Sequence, residues 1–179
     1  MNAWLAFVDE SAFSQRPPIR ATWAPRGKTP QLIEPFNWKR LSGIGAVLTK
    51  PSGQGPRWLL ALHRGNVRSA QIVRFLKALR AHRRRPVILL WDGLPAHRSG
   101  ITQQALREHR DWLTVERLPA YAPELNPVEQ LWAHLDATTL ANTPVEDLNR
   151  LGRRVRGGVA RLQRRPHIGR GLLRYSSLF

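Results

Sequence analysis

Residues 118–132, Leu-Pro-Ala-Tyr-Ala-Pro-Glu-Leu-Asn-Pro-Val-Glu-Gln-Leu-Trp, decide how the second half of this chain folds. Pro119 and Pro123 exclude a continuous helix over the first part, because each proline fixes φ and lacks an N–H donor. Asn126 is a favourable N-cap, and Pro127 takes the first helical position, where a missing N–H costs nothing. The stretch therefore predicts the end of a strand, a rigid turn and the start of a helix.

The predicted helix buries one face and carries a carboxylate beside it. One apolar stripe recurs at helical spacing, made of Val128, Leu131, Trp132 and Leu135. At about 100° per residue, Glu129 lies at the flank of that stripe and can face a neighbouring cleft. Asn126 and Glu129 also match the capping-box pattern, in which the glutamate reaches back to the N-cap N–H. Taken alone, the residues leave both interpretations of Glu129 open.

Composition indicates one globular domain with a polyanionic partner. The 179 residues are 42% hydrophobic, so we expect a single domain over 1–179 with a real core. The formal net charge is +17, which favours DNA or RNA as the partner. Cysteine is absent, which excludes disulfides and thiolate zinc sites. Residues 1–10 do not resemble a signal peptide, and the longest apolar runs are too short to span a membrane. We therefore expect a soluble intracellular protein.

The positive charge is concentrated in two parts of the chain. No acidic residue lies between Glu34 and Asp92, and none follows Asp147, whereas arginines are frequent in both parts. We predict a basic helix and tail over about 145–179, with the tail beyond Arg161 poorly ordered unless it docks. Binding of a polyanion is one interpretation of this distribution, and a solvated basic surface is the other.

Five segments have the apolar pattern of strands: Trp4–Val8, Leu41–Thr49, Arg57–His63, Val87–Trp91 and Trp112–Arg117. A Pro/Gly-rich turn at 50–56 joins the second to the third, so the first three are expected to be antiparallel. Residues 87–91 show no alternation, which is typical of a central strand covered on both faces. Helices are predicted for 66–82, 102–109, 127–135 and 145–162. The pattern predicts an α/β fold with a mixed five-stranded sheet flanked by helices.

Three acidic residues stand at positions where an α/β fold assembles a site. Asp9 and Asp92 each follow a buried strand, and Glu129 opens a helix. Carboxylates brought together repel each other unless a cation lies among them. Oxygen-only ligands favour Mg²⁺ or Mn²⁺, and two ions about 4 Å apart stabilise both oxygens of a phosphodiester displacement. A basic surface with an acidic metal pocket therefore indicates nuclease or phosphoryl-transfer chemistry on DNA or RNA.

Four motifs along the chain resemble those of the catalytic domain of IS630/Tc1/mariner-type transposases. They are Phe-Val-Asp-Glu-Ser at 7–11, Trp-Ala-Pro-Arg-Gly-Lys at 23–28, Leu-Trp-Asp-Gly at 90–93 with His97, and the 118–132 stretch quoted above. The motifs occur in the family's order over about residues 3–136. The resemblance implies an RNase H-like fold and a DDE active site formed by Asp9, Asp92 and Glu129. The 36 residues between the last two (positions 93–128) are close to the family's mid-thirties spacing.

The resemblance also implies an activity and its partners. The activity would be Mg²⁺- or Mn²⁺-dependent DNA cleavage and strand transfer, with water and then a DNA 3′-hydroxyl as nucleophile. Related transposases act as homodimers and carry N-terminal helix-turn-helix domains, which we expect to be absent here or made as a separate or frameshift-joined product. Gly93 and Asp136 depart from residues common in the family. Two alternatives remain: a catalytically silent DNA-binding remnant, and a stand-alone RNase H-like nuclease.

Four further residues near these motifs are candidate DNA contacts: Arg26, Lys28, His97 and Arg98. General surface charge is the alternative for the three basic residues, and a satisfied polar contact beside the turn is the alternative for His97. We interpret three aromatic residues as core residues, with base stacking as the alternative: Tyr121, Trp132 and Trp91. Glu10 and Glu124 adjoin the acids and are expected to support them or to lie at the surface.

Overall fold

A mixed five-stranded sheet forms the centre of the molecule. The computed structural model describes residues 3–34, 36, 38–82, 85–119, 122–176 and 178–179. The strands are β1 (Trp4–Ser14), β2 (Arg40–Thr49), β3 (Arg57–Arg64), β4 (Val87–Trp91) and β5 (Leu113–Arg117). They lie in the order β3-β2-β1-β4-β5, with the first three antiparallel and with β4 and β5 parallel to β1. The predicted five-stranded mixed sheet is confirmed.

Strand β1 is longer than the sequence pattern predicts, and this changes the position of Asp9. The parallel pairing with β4 ends at the Phe7–Leu90 pair, but the antiparallel pairing with β2 continues to Ser14. The strand persists because its backbone groups keep finding partners on β2. Asp9 therefore lies within β1, two residues beyond the point where β4 leaves it, and the prediction that it ends a strand is wrong.

Among the described residues, six α-helices connect or follow the strands. They are α1 (Ser69–His82), α2 (Pro95–Arg98), α3 (Gly100–Glu108), α4 (Pro127–Leu135), α5 (Leu148–Gln163) and α6 (Pro166–Tyr175). A 3₁₀ turn precedes α4 at Pro123–Leu125, and a π-helical turn follows it at Asp136–Leu140. The described part of the tail docks on the core, which is the condition under which order was expected. Helix α6 docks through the buried Leu173, and the ring of Phe179 meets that of Phe7 edge-on at 6.0 Å.

The sheet separates two apolar cores. Helices α4, α5 and α6 cover one face, and α1 with the α2–α3 region covers the other. On the first face, Gly43 and Gly45 of β2 leave room for large aromatic side chains. A Cβ added to Gly43 would come within 2.8 Å of the Phe13 ring, and one added to Gly45 would overlap the Trp132 indole. The missing side chain at Gly45 lets α4 approach β2 closely.

A long segment between β1 and β2 lies largely on the surface. Its start is fixed by Asn142, whose side chain exchanges two hydrogen bonds with the backbone of Arg20, of 2.9 and 2.8 Å. Trp23 is fully exposed. Of the helices in the described part of the chain, none has the length and apolar character needed to cross a membrane.

Candidate active site

A cleft of about 430 Å³ opens beside the carboxyl ends of β4 and β5 and the middle of β1. Three carboxylates from three different elements line it: Asp9 from β1, Asp92 from the turn after β4, and Glu129 from α4. Asp9 lies two residues past the last pair of β1 with β4, and Asp92 follows β4 directly. Helix α4 brings Glu129 to the same edge of the sheet. The cleft is also lined by Gly93, Arg98, Arg117, Leu118, Asn126 and neighbouring prolines. The structure thus brings together the three acids that the sequence analysis singled out.

Asp9 is oriented by a tryptophan from the helix above it. The Trp132 Nε1–H donates to Asp9 Oδ2 at 2.7 Å, which leaves Oδ1 free of this bond. Trp132 is buried, and its ring lies over Gly45, the residue paired with Asp9 across β1 and β2. The interpretation of Trp132 as a core residue therefore covers only part of its contacts. Its N–H contact with Asp9 has no signature in the sequence.

Asn126 fixes the start of α4 next to Asp9. Its side-chain oxygen accepts from the Val128 N–H, and its side-chain amide donates to the Val8 carbonyl, both at 3.2 Å. The backbone N–H of Asn126 donates to the Pro123 carbonyl at 2.9 Å. Since that N–H already has a partner, the capping-box interpretation of Glu129 is not needed. The Glu129 side chain instead lines the cleft.

His97 supports Asp92 from behind. It is 3% exposed and stacks on Trp91, with ring centroids 4.0 Å apart. Its Nδ1 lies 3.0 Å from both the Oδ1 and the carbonyl oxygen of Asp92, and its Nε2 lies 3.0 Å from Glu10 Oε1. Both ring nitrogens therefore face acceptors, and only the doubly protonated ring donates to both. Burial lowers the pKa of His97, but the hydrogen bond and charge of Glu10, together with Asp92, outweigh it and raise that pKa.

Glu10, Asp92 and His97 are the one group of metal-type ligands in the described residues whose atoms all lie within 4.8 Å of one another. The two nitrogens of His97 point to opposite sides of the ring, so they cannot ligate one ion together. Each lies at hydrogen-bond distance from an oxygen. We therefore interpret this group as a polar network that holds Asp92, while Asp9, Asp92 and Glu129 surround the wider cleft.

Burial and mutual repulsion perturb the carboxylates of the cleft. Burial raises the pKa of Asp9 to about 7; the Trp132 hydrogen bond opposes this shift, and the charges of Glu129 and Glu10 add to it. Burial also raises the pKa of Glu129, and the charge of Asp92 adds to it. Such shifts are typical of carboxylates that need a cation or a proton to stay together.

The raised pKa of Asp9 predicts that the metal-free protein loses stability as the pH rises from about 4 to about 7. In that window the folded state binds a proton on Asp9 that the unfolded state has lost. The free energy of unfolding therefore falls as the pH rises, by at most about 1.4 kcal/mol per pH unit for one group. Urea unfolding in EDTA at several pH values measures this slope. We expect Asp9→Asn to flatten it and the exposed Asp111→Asn to leave it unchanged; an unchanged slope in Asp9→Asn would contradict the assignment.

The basic candidates fall in different places. Arg98 lines the cleft, with its guanidinium over Gly93, and Arg117 of β5 lines it too, although the sequence analysis did not select Arg117. Arg26 and Lys28 lie on an exposed turn of the β1–β2 segment, outside the cleft lining. His97 is buried behind Asp92. The predicted DNA contacts Arg26, Lys28, His97 and Arg98 remain predictions. Tyr121 lies outside the described residues.

The chain belongs to the DDE superfamily endonucleases, whose family model matches residues 4–152. The predicted membership of a transposase family is thereby confirmed, and the chain is a DDE-type catalytic domain. A protein of insertion element IS630 from Shigella sonnei, described as an uncharacterized 39 kDa protein, is 29% identical over 153 residues. That alignment covers 84% of this chain and 43% of the relative.

Solved structures agree on the fold. The Mos1 strand transfer complex matches with a TM-score of 0.58 and 19% identity, over 93% of this chain and 53% of that chain. The catalytic domain of Mos1 mariner transposase matches with a TM-score of 0.52 and 18% identity, over 93% of this chain and 80% of that one. The RNase H-like fold is thus confirmed. This chain spans about half the length of the longer relatives.

Proposed function

We propose that this chain cuts and joins DNA strands as the metal-dependent catalytic domain of an IS630-type transposase. The observation that carries the proposal is the meeting of Asp9, Asp92 and Glu129 in one cleft of a protein with a net charge of +17. Three carboxylates that meet in one cleft repel one another, so their meeting in a basic protein indicates a function for their charge. A divalent cation supplies that function.

The donor set fits Mg²⁺ or Mn²⁺. All three side chains offer oxygen ligands, and the described cleft lining contains no sulfur or imidazole. Asp9 and Asp92 each use one oxygen for a supporting hydrogen bond, from Trp132 and from His97, which leaves the second oxygen of each for an ion. Glu129 would complete the set of ligands. When bound, two ions stabilise the attacking and leaving oxygens of a phosphodiester displacement.

The chain's own residues bind and orient the substrate around these ligands. Arg98 and Arg117 line the same cleft and would hold phosphate oxygens, because a guanidinium donates two parallel hydrogen bonds to such a group. Leu94 N–H and His97 hold Asp92 Oδ1 at 3.2 and 3.0 Å, so Asp92 keeps one orientation as substrate enters. Water would be the nucleophile for cleavage, and a DNA 3′-hydroxyl the nucleophile for strand transfer.

Partners and setting follow from relatives. Mos1 structures include a strand transfer complex and a paired-end complex with the left transposon end, which supports DNA as the partner here. We also propose a homodimer, a helix-turn-helix part in the assembly, and action at the nucleoid of a bacterial cytoplasm. The Shigella sonnei relative supports the bacterial setting.

The deciding experiment is a Mn²⁺ titration of the purified protein, with and without duplex DNA, beside Asp92→Asn and the exposed control Asp111→Asn. We expect saturable binding in the wild type and the control, and its loss in Asp92→Asn. We likewise expect the wild type and the control to cleave transposon-end DNA, and Asp92→Asn not to cleave it. Metal binding without cleavage would favour a silent DNA-binding remnant, and cleavage of any branched DNA by the lone chain would favour a stand-alone nuclease. Equal binding in all three proteins would refute the active site.

A further inference from the structure

Helix α5 carries a second concentration of charge, away from the carboxylate cleft. Six exposed arginines belong to it or to the residue after it, and we call them the arginine face: Arg150, Arg153, Arg154, Arg156, Arg161 and Arg164. The opposite side of α5 is buried through Leu151, Val155, Val159 and Leu162. At 16 residues, the helix presents this face over about 24 Å.

The charge of the arginine face is largely uncompensated. No acidic residue follows Asp147 in the sequence. Within the described residues, the one ion pair made by the arginine face joins Arg150 to Glu146 at 3.2 Å, and both partners are exposed. Such a pair contributes little. Arginines this close together repel one another, which costs stability unless an anion lies over them.

Part of the face is held in position by the turn after α4. Arg154 donates from Nε to the Thr139 carbonyl at 2.9 Å and from Nη2 to Thr143 Oγ1 at 3.0 Å. Arg161 donates to Thr139 Oγ1 at 3.1 Å. The contacts fix two guanidinium groups on the protein surface.

The arginine face is distinct from the cleft. Gly158 of α5 packs against Leu135, at the far end of α4 from Glu129. Leu135 lies six positions after Glu129, or about 9 Å along the axis. None of the six arginines lines the cleft, so the arginine face does not hold the phosphate that lies between the three carboxylates. A neighbouring part of the same duplex is long enough to reach it.

We infer that the arginine face binds the phosphate backbone of duplex DNA outside the segment that is cut. The inference rests on the proposed function for the identity of the polyanion. Duplex DNA carries one negative charge per about 1.7 Å of its axis, so 24 Å of helix faces enough phosphates to engage every arginine of the set. Contacts to phosphates position a protein without reading sequence. The surface would hold flanking or target DNA while the cleft acts on the strand.

The test compares two triple variants with equal loss of charge. Arg153→Gln/Arg156→Gln/Arg164→Gln removes three arginines of the face whose side chains are exposed. The control, Arg68→Gln/Arg74→Gln/Lys77→Gln, removes three exposed charges on the other side of the sheet. Two of them belong to α1, and Arg68 directly precedes it. Binding of a 20-bp duplex of arbitrary sequence is measured in EDTA by fluorescence anisotropy over a series of salt concentrations. Thermal unfolding checks that both variants are folded.

We expect the slope of log K against log salt to fall by about 2.7 in magnitude in the arginine-face variant, at roughly 0.9 per lost phosphate contact. The control should change by less than half as much. Equal changes in both variants would mean that overall charge alone matters, and no change would mean that the face is only solvated. Tighter binding of a single strand of equal length would also overturn the assignment to duplex DNA.

Failure of this inference and failure of the proposed function give different results. The arginine-face variant should bind Mn²⁺ as the wild type does, because none of its three residues lines the cleft. A wild type that binds duplex through the arginine face but does not bind Mn²⁺ would refute the proposed active site alone. A wild type that cleaves DNA while both triple variants bind it equally would refute the arginine-face inference alone.

Discussion

Trp132→Phe is expected to weaken Mn²⁺ binding and any DNA cleavage by about 10- to 100-fold, with the protein still folded. Residues that orient metal ligands through a hydrogen bond typically have effects of this size. Phenylalanine keeps most of the buried volume but lacks the N–H that donates to Asp9 at 2.7 Å. Without that donor the Asp9 carboxylate loses its fixed orientation, and its pKa rises further, since the hydrogen bond lowers it. Both changes oppose binding of a cation.

The matched control for this variant is Trp58→Phe. Trp58 belongs to the same apolar core as Trp132 and is similarly buried, but the donor to Asp9 is Trp132. Isothermal titration with Mn²⁺ and urea unfolding should be measured on both variants. We expect similar losses of stability and a loss of metal affinity in Trp132→Phe alone. If metal affinity fell equally in the two, general loosening of the core would explain the result, and the role of the indole N–H would be excluded.

Gly45→Ala is expected to destabilise the protein by about 3 kcal/mol and to lower metal affinity as well. Overpacking a well-filled core costs typically 1–3 kcal/mol. The added methyl would lie 2.6 Å from Trp132 Cζ2 and 3.2 Å from Val128 Cγ1, and the rigid indole has no room to turn away. Moving the indole also moves the donor to Asp9. Urea unfolding and Mn²⁺ titration measure the two effects.

A double-mutant cycle tests this cause. Phenylalanine lacks the atoms Cζ2 and Cη2 that the methyl would strike, so Gly45→Ala should cost less in the Trp132→Phe background, with a coupling energy of 0.5–3 kcal/mol. Gly157→Ala is the control, because a Cβ there meets only Arg161 Nη1 at 3.6 Å. It should not destabilise the protein, since alanine is the better helix former. Additive effects of the two mutations would show that Gly45 and Trp132 act independently.

Local sequence patterns predict the elements of this fold well. The unalternating run Val87–Trp91 is β4 to the residue, and Asn126 with Pro127 starts α4 as capping chemistry requires. These features depend on residues close in sequence. The extension of β1 to Ser14 depends instead on pairing with β2, and the ordering of α6 depends on a distant core. Neither partner is visible from the segment itself.

The same distinction applies to the site. Asp92 and Glu129 could be selected because the end of β4 and the start of α4 are local features, whereas Asp9 was selected as a strand end and lies within β1. The groups that orient them could not, since Trp132 acts on a residue 123 positions away and Glu10 reaches His97 across 87. Alternation in β1 places Asp9 and Glu10 on opposite faces of the sheet. Asp9 therefore meets Trp132 on one face, while Glu10 meets His97 on the other.

The pairing of β1 with β4 ends before Asp9, and this affects how the three carboxylates are held. Asp9 belongs to the β1–β2 ladder and is tied to it on both sides of its position, whereas Asp92 follows a strand that has already left β1. Glu129 stands on α4, whose Trp132 packs over Gly45. Asp92 and Glu129 are therefore set relative to Asp9 by the side-chain contacts of His97 and Asn126, and not by pairing in the ladder. The spacing of the three carboxylates thus depends on these two contacts.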